Sequence, residues 1–183
     1  MVHLTELWLP ILLSAVVVFI ASSILHMVLG HHKSDYSKLP NEDKVLECMR
    51  SEGVGPGNYM FPHATKMGDP ECIEKQKKGP VGTINVIANG PPAMGKYLVV
   101  WFIYCVVVSV FVAYVAGSTL GPRTHYLAVF RVAGCVAFLS YSAAQAQDSI
   151  WKGQNWSTTI KHMFDGLIYG LLTGGVFGWL WPR

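Results

Sequence analysis

The chain has 183 residues, of which 51% are hydrophobic and only 14% are charged, and its net charge is +3. Soluble globular proteins carry about 25% charged residues, so this composition disfavours a soluble enzyme. The abundant apolar and aromatic residues exclude disorder for most of the chain. The lysines form no basic stripe, so we expect no nucleic-acid partner. The composition indicates a membrane protein of one domain, with the lipid bilayer as its main partner.

Four segments are apolar enough to cross a bilayer. They are residues 7–29, 98–117, 127–146 and 162–181. A bilayer core about 30 Å thick needs roughly 20 helical residues, and none of these segments alternates like a transmembrane strand. The first segment lacks the basic stretch that precedes a signal peptide's apolar core, so we expect it to remain as an anchor. The sequence predicts a single all-α domain, residues 1–183, that forms a four-helix membrane bundle with an extramembrane loop at residues 30–97.

Positive charge is distributed unevenly between the two predicted sides of the membrane. The loop 30–97 and the connection between the third and fourth segments together carry eleven of the fourteen Lys and Arg residues. Cytoplasmic loops of membrane proteins are rich in Lys and Arg. We therefore predict that both termini lie outside and that the loop 30–97 is cytoplasmic. Cytoplasmic thiols stay reduced, so Cys48 and Cys72 are expected to be free.

The loop 30–97 is predicted to hold only short elements. Asn41–Glu52 and Asp69–Lys78 each have the residue pattern of a capped helix. Thr83–Ala88 has the composition of a strand, but the sequence indicates no partner for it. The loop contains no nucleotide-binding, catalytic-triad or paired-carboxylate pattern. None of its elements is long enough to bury a core of its own, so we expect the loop to pack on the membrane face or on a partner.

The fourth segment carries glycines four residues apart. They are Gly166, Gly170, Gly174 and Gly178. This spacing places them on one stripe of a helix, where a second backbone can approach closely. The second segment carries a weaker stripe of small residues, formed by Ser109, Ala113 and Gly117. The stripe is either a dimerisation surface or a packing surface within one bundle, and we favour the second because small residues are enriched wherever membrane helices touch.

Five polar residues are predicted to meet at the same side of the membrane. They are His26, Gln145, Asp148, His162 and Asp165. Ionisable residues near a membrane span are costly and are therefore candidates for a functional site. Two histidines and two carboxylates could bind a divalent transition metal, relay protons or bind a quinone. A haem held between His26 and His162 is also conceivable.

A structural interpretation of these polar residues is favoured over a site. Asp148 and Asp165 lie near the predicted boundary, where Lys152 and Lys161 could pair with them. Polar side chains also hydrogen-bond between membrane helices without any further role. His31 and His32, which lie beside Lys33, are interpreted as interfacial residues rather than ligands. We therefore expect no resident cofactor.

Two segments carry a resemblance to known proteins: LHMVLGHHKSDY at residues 25–36 and HMFDGLIYGLLTGGVFGWLWP at residues 162–182. With the predicted architecture, they make the chain similar to small, uncharacterised four-helix membrane proteins of bacteria. The resemblance implies a location in the bacterial inner membrane. It transfers no catalytic or binding residue.

The sequence supports three hypotheses about function. The leading one is a non-catalytic integral membrane protein, an accessory or structural subunit that packs against other membrane proteins or itself. The alternative is a small binding or transport protein that uses the polar cluster for a metal, a proton or a quinone. A third is a membrane enzyme whose acid–base pair is drawn from Asp148, His162 and Asp165.

Overall fold

The computed structural model describes residues 1–183 and is mostly helical. The helices are α1 (Trp8–Ser23), α2 (Glu42–Ser51), α3 (Pro70–Lys78), α4 (Met94–Thr119), α5 (Tyr126–Phe138), α6 (Gln145–Lys152) and α7 (Trp156–Trp179). Two strands, β1 (Gly57–Phe61) and β2 (Gly82–Val86), complete the regular structure. Short 3-10 turns occur at Leu4–Leu7 and His31–Ser34, and π-helical turns at Ile24–Val28 and Leu139–Ala143.

Three helical segments are long and apolar enough to cross a membrane: Leu4–Val28, Met94–Thr119 and Tyr126–Lys152. They contain most of the first three predicted segments. The third runs past its predicted end at residue 146, because the π-helical turn Leu139–Ala143 joins α5 to α6. At 24 residues α7 is long enough, but its glycines and the polar residues of its first half make it less apolar. Length and hydropathy therefore identify three candidate spans, where the sequence analysis predicted four.

The helices bury small and aliphatic side chains between them. α5 packs on α7, while α1 packs on both α4 and α7. Val18, Val112, Ala133 and Phe177 are fully buried in the centre of this bundle. Large apolar side chains such as Trp179 are exposed on the outside, which is the pattern expected of helices that face lipid.

The glycine stripe of α7 lies against α5 of the same chain. A Cβ atom added to Gly170 would lie 2.9 Å from the carbonyl oxygen of Gly134, and one added to Gly174 would lie 2.8 Å from that of Phe130. A Cβ at Gly166 would overlap the side chain of Ser142. The close backbone approach that the spacing predicts is thus made within one bundle in this structure.

Ser109, Ala113 and Gly117 of α4 face the N-terminal segment and α1 rather than α7. The hydroxyl oxygens of Ser109 and Ser14 lie 3.0 Å apart. A Cβ added to Gly117 would lie 2.6 Å from the carbonyl oxygen of Val2. The partner of the α7 stripe is therefore the α5 backbone around Gly134, and the small residues of α4 form a second helix contact.

The segment between α1 and α4 holds two short helices and a two-stranded sheet. α3 begins at Pro70 and Asp69 caps it by accepting a hydrogen bond from the backbone N–H of Glu71. β1 and β2 pair antiparallel, from Gly57 opposite Val86 to Phe61 opposite Gly82. The sequence did not indicate β1, because its five residues show no apolar alternation. Cys48 and Cys72 are free thiols.

Candidate metal centre

Six side chains from two parts of the chain meet at the end of the bundle where α1 ends and α7 begins. We call them the His/Asp cluster: His26, His31, His32, Asp35, His162 and Asp165. Four of these residues belong to the stretch that follows α1, and two belong to the first half of α7.

The end of α1 positions the first group. His26 lies in the π-helical turn Ile24–Val28. Gly30 follows with a φ of 60°, a left-handed conformation that glycine adopts at low cost because it has no Cβ. The chain turns at this residue and enters the 3-10 turn that carries His31 and His32. This turn brings both imidazoles back towards α7.

The first half of α7 supplies the second group. Asn155 caps this helix by accepting a hydrogen bond from the backbone N–H of Ser157. His162 and Asp165 are three residues apart, so they share one face of the helix. Lys161 is their neighbour and directs its ammonium group to Ser34 and Asp35, at 2.7 Å from each. The helix therefore presents one carboxylate, one imidazole and one cation to the turn after α1.

Asp165 is buried among imidazoles. Its side chain is 2% exposed. Its Oδ2 atom lies 2.6 Å from Nε2 of His32 and 3.8 Å from Nδ1 of His26, and its Oδ1 atom lies 3.1 Å from Nε2 of His31. No Lys or Arg side chain lies within ion-pairing distance of this carboxylate. Only histidines are placed to balance its charge.

Asp35 is a second buried carboxylate, with its side chain 3% exposed. Its Oδ1 atom accepts a hydrogen bond from Nζ of Lys161 at 2.7 Å. Its Oδ2 atom lies 2.5 Å from Nδ1 of His32 and 3.9 Å from Nε2 of His162. The two oxygens thus have different partners, a lysine on one side and two imidazoles on the other.

The electrostatics of the cluster favour charged forms of Asp35 and His32. Burial by itself lowers the pKa of His32, but hydrogen bonds and attraction to Asp35 and Asp165 outweigh it, so the pKa is raised from its ordinary value. Burial by itself raises the pKa of Asp35, but hydrogen bonds from Lys161 and His32 outweigh that effect, so the pKa is lowered. Opposite charges nearby account for both directions.

The imidazole ring of His32 lies against the other three imidazole rings of the cluster. The ring centroid of His32 lies 4.3 Å from that of His26, 4.0 Å from that of His31 and 4.9 Å from that of His162. His26 and His162 are 6.3 Å apart with His32 close to both. The ring of His32 occupies space that a haem bound between His26 and His162 would need, so the cluster does not fit that cofactor.

Three of the five predicted polar residues come together, and two do not. His26, His162 and Asp165 belong to the cluster, whereas Gln145 makes no side-chain hydrogen bond. Asp148 forms an ion pair with Lys152 at 2.6 Å, and its side chain is 35% exposed. An acid–base pair of Asp148 with His162 or Asp165 is therefore not assembled in this structure.

The sequence analysis missed three members of the cluster. It did not single out Asp35, and it interpreted His31 and His32 as interfacial residues, whereas both imidazoles contact the buried Asp165 carboxylate. The available signal was the string HHKSD directly after Gly30. Two adjacent histidines and an aspartate after a helix-ending glycine can fold back onto the helix end, but the sequence does not show towards which helix.

The ligand chemistry of the cluster is that of a transition-metal site. Two sets of three residues have ligand atoms within 4.8 Å of one another: His26 with His32 and Asp165, and His32 with Asp35 and His162. Imidazole nitrogens with carboxylate oxygens suit zinc, copper, iron and nickel. Compared with protein-family models, with curated proteins and with solved structures, the chain shows no match.

Proposed function

We propose that this chain is an integral membrane protein that binds a divalent transition-metal ion in the His/Asp cluster. The observation that carries the proposal is the environment of Asp165, which is 2% exposed and faces three imidazoles without a Lys or Arg partner. A buried carboxylate is costly unless a positive charge compensates it. A single protonated His32 is shared between two buried carboxylates, Asp35 and Asp165, whereas a metal ion supplies further positive charge and uses imidazole nitrogens as ligands.

The distances around Asp165 support a coordination site. Zinc lies about 2.0–2.2 Å from imidazole nitrogen and carboxylate oxygen, so two ligand atoms of a tetrahedral ion are about 3.3 Å apart. The three N–O distances to Asp165 are 2.6, 3.1 and 3.8 Å, which bracket that value. An ion needs only small side-chain shifts to bind among these atoms.

Groups around the ligands support the same proposal. Lys161 binds both Ser34 and Asp35, and so fixes the carboxylate of Asp35 in one orientation. Outer groups that orient ligands are a usual part of metal sites. Lys161 thus has an identifiable role as a positioning residue.

The metal-binding proposal is tested by titrating the full chain, purified in mild detergent and treated with a chelator, with Zn²⁺. Wild type is expected to retain zinc through gel filtration, while Asp165→Asn should lose it and still fold. Asp148→Asn is the matched control, because it makes the same chemical change at an aspartate paired with Lys152 outside the cluster. Absence of zinc from wild type, or equal loss in both variants, contradicts the proposal.

We further propose that α7 crosses the membrane as a fourth helix of a bacterial inner-membrane bundle. Eleven of the fourteen Lys and Arg residues lie in the extramembrane loop 30–97 and between the third and fourth segments, and this bias supports a cytoplasmic loop with both termini outside. The cluster then lies at the cytoplasmic boundary. A periplasmic reporter fused after Arg183 should be active and one inserted near Gly57 silent, and the reverse pattern contradicts this orientation.

The accessory-subunit hypothesis stays a prediction of the sequence. It differs from the metal-binding proposal in what it expects from native membranes: partner proteins in fixed stoichiometry and no dependence on the cluster. Mass spectrometry of proteins and metals that co-purify with wild type and with Asp165→Asn distinguishes the two. Partners retained by both, with no metal in either, favour the accessory subunit.

A further inference from the structure

His32 lies between two separate groups of ligand atoms. Its Nε2 atom faces Oδ2 of Asp165 at 2.6 Å, and its Nδ1 atom faces Oδ2 of Asp35 at 2.5 Å. The two nitrogens are on different edges of the imidazole ring, so the two carboxylates lie at different positions around it. A single ion can bond to only one nitrogen of an imidazole ring. One ion therefore cannot bind both the ligand atoms around Asp165 and those around Asp35.

Each edge of the ring has enough ligands for an ion of its own. On the Nε2 edge, Asp165 brings His26 and His31 within 3.8 and 3.1 Å of its oxygens. On the Nδ1 edge, Oδ2 of Asp35 has His162 at 3.9 Å, while Lys161 binds the other oxygen and leaves Oδ2 to the imidazoles. The two sets of ligands share His32 and no other residue.

We propose that the cluster holds two divalent transition-metal ions, bridged by the imidazolate of His32. This inference rests on the proposed metal-binding function and extends it to a second ion. The first ion binds His26, Asp165 and Nε2 of His32, and the second binds Asp35, His162 and Nδ1 of His32. Each nitrogen of His32 exchanges its hydrogen bond to a carboxylate for a bond to a metal, and protons displaced from the ring pass to solvent.

The positive charge of two divalent ions is largely compensated within the cluster. Both carboxylates are buried, and the bridging imidazolate adds a third negative charge. Lys161 is the cation that also faces this group, and it contacts the oxygen of Asp35 directed away from His32. Lys161 is thus a competing charge only at the second ion, so we expect that ion to bind more weakly than the first.

The test loads the chelator-treated full chain with Cu²⁺ alone and measures both copper content and electron paramagnetic resonance intensity. Two copper ions joined by an imidazolate are magnetically coupled, so wild type should hold two ions per chain with an intensity well below its copper content. His162→Ala removes a ligand of the second ion only. It should hold one ion per chain, with an intensity that matches its copper content. His63→Ala, outside the cluster, should behave as wild type.

Each result supports or overturns a distinct part of the account. No retained copper in wild type overturns the metal-binding proposal and this inference together. One ion per chain, or two ions with full intensity, overturns the bridge and leaves the metal-binding proposal standing. Coupling that persists in His162→Ala also overturns the bridge. If His162→Ala fails to fold, Asp35→Asn removes the carboxylate of the second ion only, and the same single uncoupled copper is expected.

Discussion

The two halves of α7 bury opposite kinds of residue. From Gly166 onwards the helix buries glycines against α5, with a contact so close that a Cβ at Gly174 would lie 2.8 Å from a backbone oxygen. In its first half the helix buries the carboxylate of Asp165 and holds His162 beside it, against the turn after α1. Glycines, which have no side chain, let the backbones of α7 and α5 come into contact. The polar side chains of the first half instead fill the space between α7 and the turn after α1, and these side chains are the proposed ligands.

The two halves of α7 therefore have different roles, one in helix packing and one in ligand binding. The glycine half fixes the position of α7 on α5, and this fixed helix holds Asp165 against His26, His31 and His32. Substitutions in the two halves should therefore have separable effects, on folding in one half and on ligand binding in the other.

The largest effect is expected at His32, which both ligand sets share. His32→Ala should lower zinc affinity at least about 100-fold, since even outer partners of metal ligands are worth 10–100-fold. Circular dichroism should show an intact helical fold, because the helix packing of the bundle does not involve this residue. Isothermal titration of the detergent-solubilised chain measures the change. A zinc affinity within a factor of two of that of wild type would show that His32 is not a metal ligand.

The next effect is expected in the glycine half. Gly170→Leu forces a side chain between α7 and the Gly134 carbonyl, and should destabilise the fold by about 3 kcal/mol. Gly175→Leu is the matched control, because it makes the same change where a Cβ meets only the hydroxyl of Tyr126, at 3.8 Å. Thermal unfolding in detergent measures both. Equal stability of the two variants would show that the stripe does not set the helix packing.

The sequence could predict the glycine half better than the polar half. Glycines at a constant spacing of four define a packing stripe whatever the partner is, so the pattern alone indicated close contact. The cluster depends on where the chain goes after Gly30 and on which way each helix is rotated, and neither is a local property. Asp148 and Asp165 were therefore grouped together, although Asp148 faces Lys152 on its own helix.

The first three membrane helices and the short helices α2 and α3 were also predictable, because length, hydropathy and capping residues are local. The pairing of β1 with β2 was not, because β1 has only five residues and carries no alternation. The reversal that brings His31 and His32 onto Asp165 depends on one left-handed glycine and on the fixed position of α7. Both are consequences of the tertiary fold.

A third prediction concerns pH and separates the metal-free from the metal-bound protein. The raised pKa of His32 means that its stabilisation is complete below the ordinary value of 6.5 and is lost as the pH rises through the raised value. The lowered pKa of Asp35 means that its stabilisation is present above 3.8 and is lost only as the pH falls through the lowered value. The contribution of His32 to the stability of the metal-free protein, measured as the difference between wild type and His32→Ala, should therefore be smaller at pH 8 than at pH 6.

The metal-bound protein should show the opposite trend, because metal ions compete with protons for imidazole nitrogens and bind more tightly as the pH rises. The same competition between metal ions and protons applies to the imidazoles that surround His32, which are those of His26, His31 and His162. Thermal unfolding of wild type and His32→Ala at pH 6 and pH 8, with chelator and with zinc, measures both trends. Identical trends with and without zinc would contradict the exchange of proton for metal at the cluster.

The smallest effect is expected at the contact between α1 and α4. Ser109→Ala removes the hydrogen bond to Ser14, and such bonds between membrane helices are worth about 0.6 kcal/mol on average. Zinc affinity should be unchanged, because this contact lies outside the cluster. Thermal unfolding and zinc titration check the two expectations, and a large fall in zinc affinity would mean that the cluster depends on the α1–α4 contact.

The most direct measurement is an anomalous diffraction experiment on zinc-loaded crystals of the full chain, recorded on both sides of the zinc absorption edge. The account predicts an anomalous peak about 2.0–2.2 Å from the carboxylate of Asp165 and from Nε2 of His32, with a weaker second peak between Asp35 and His162. A map with no peak at Asp165, or with its main peak elsewhere in the chain, would contradict the central claim that the His/Asp cluster binds metal.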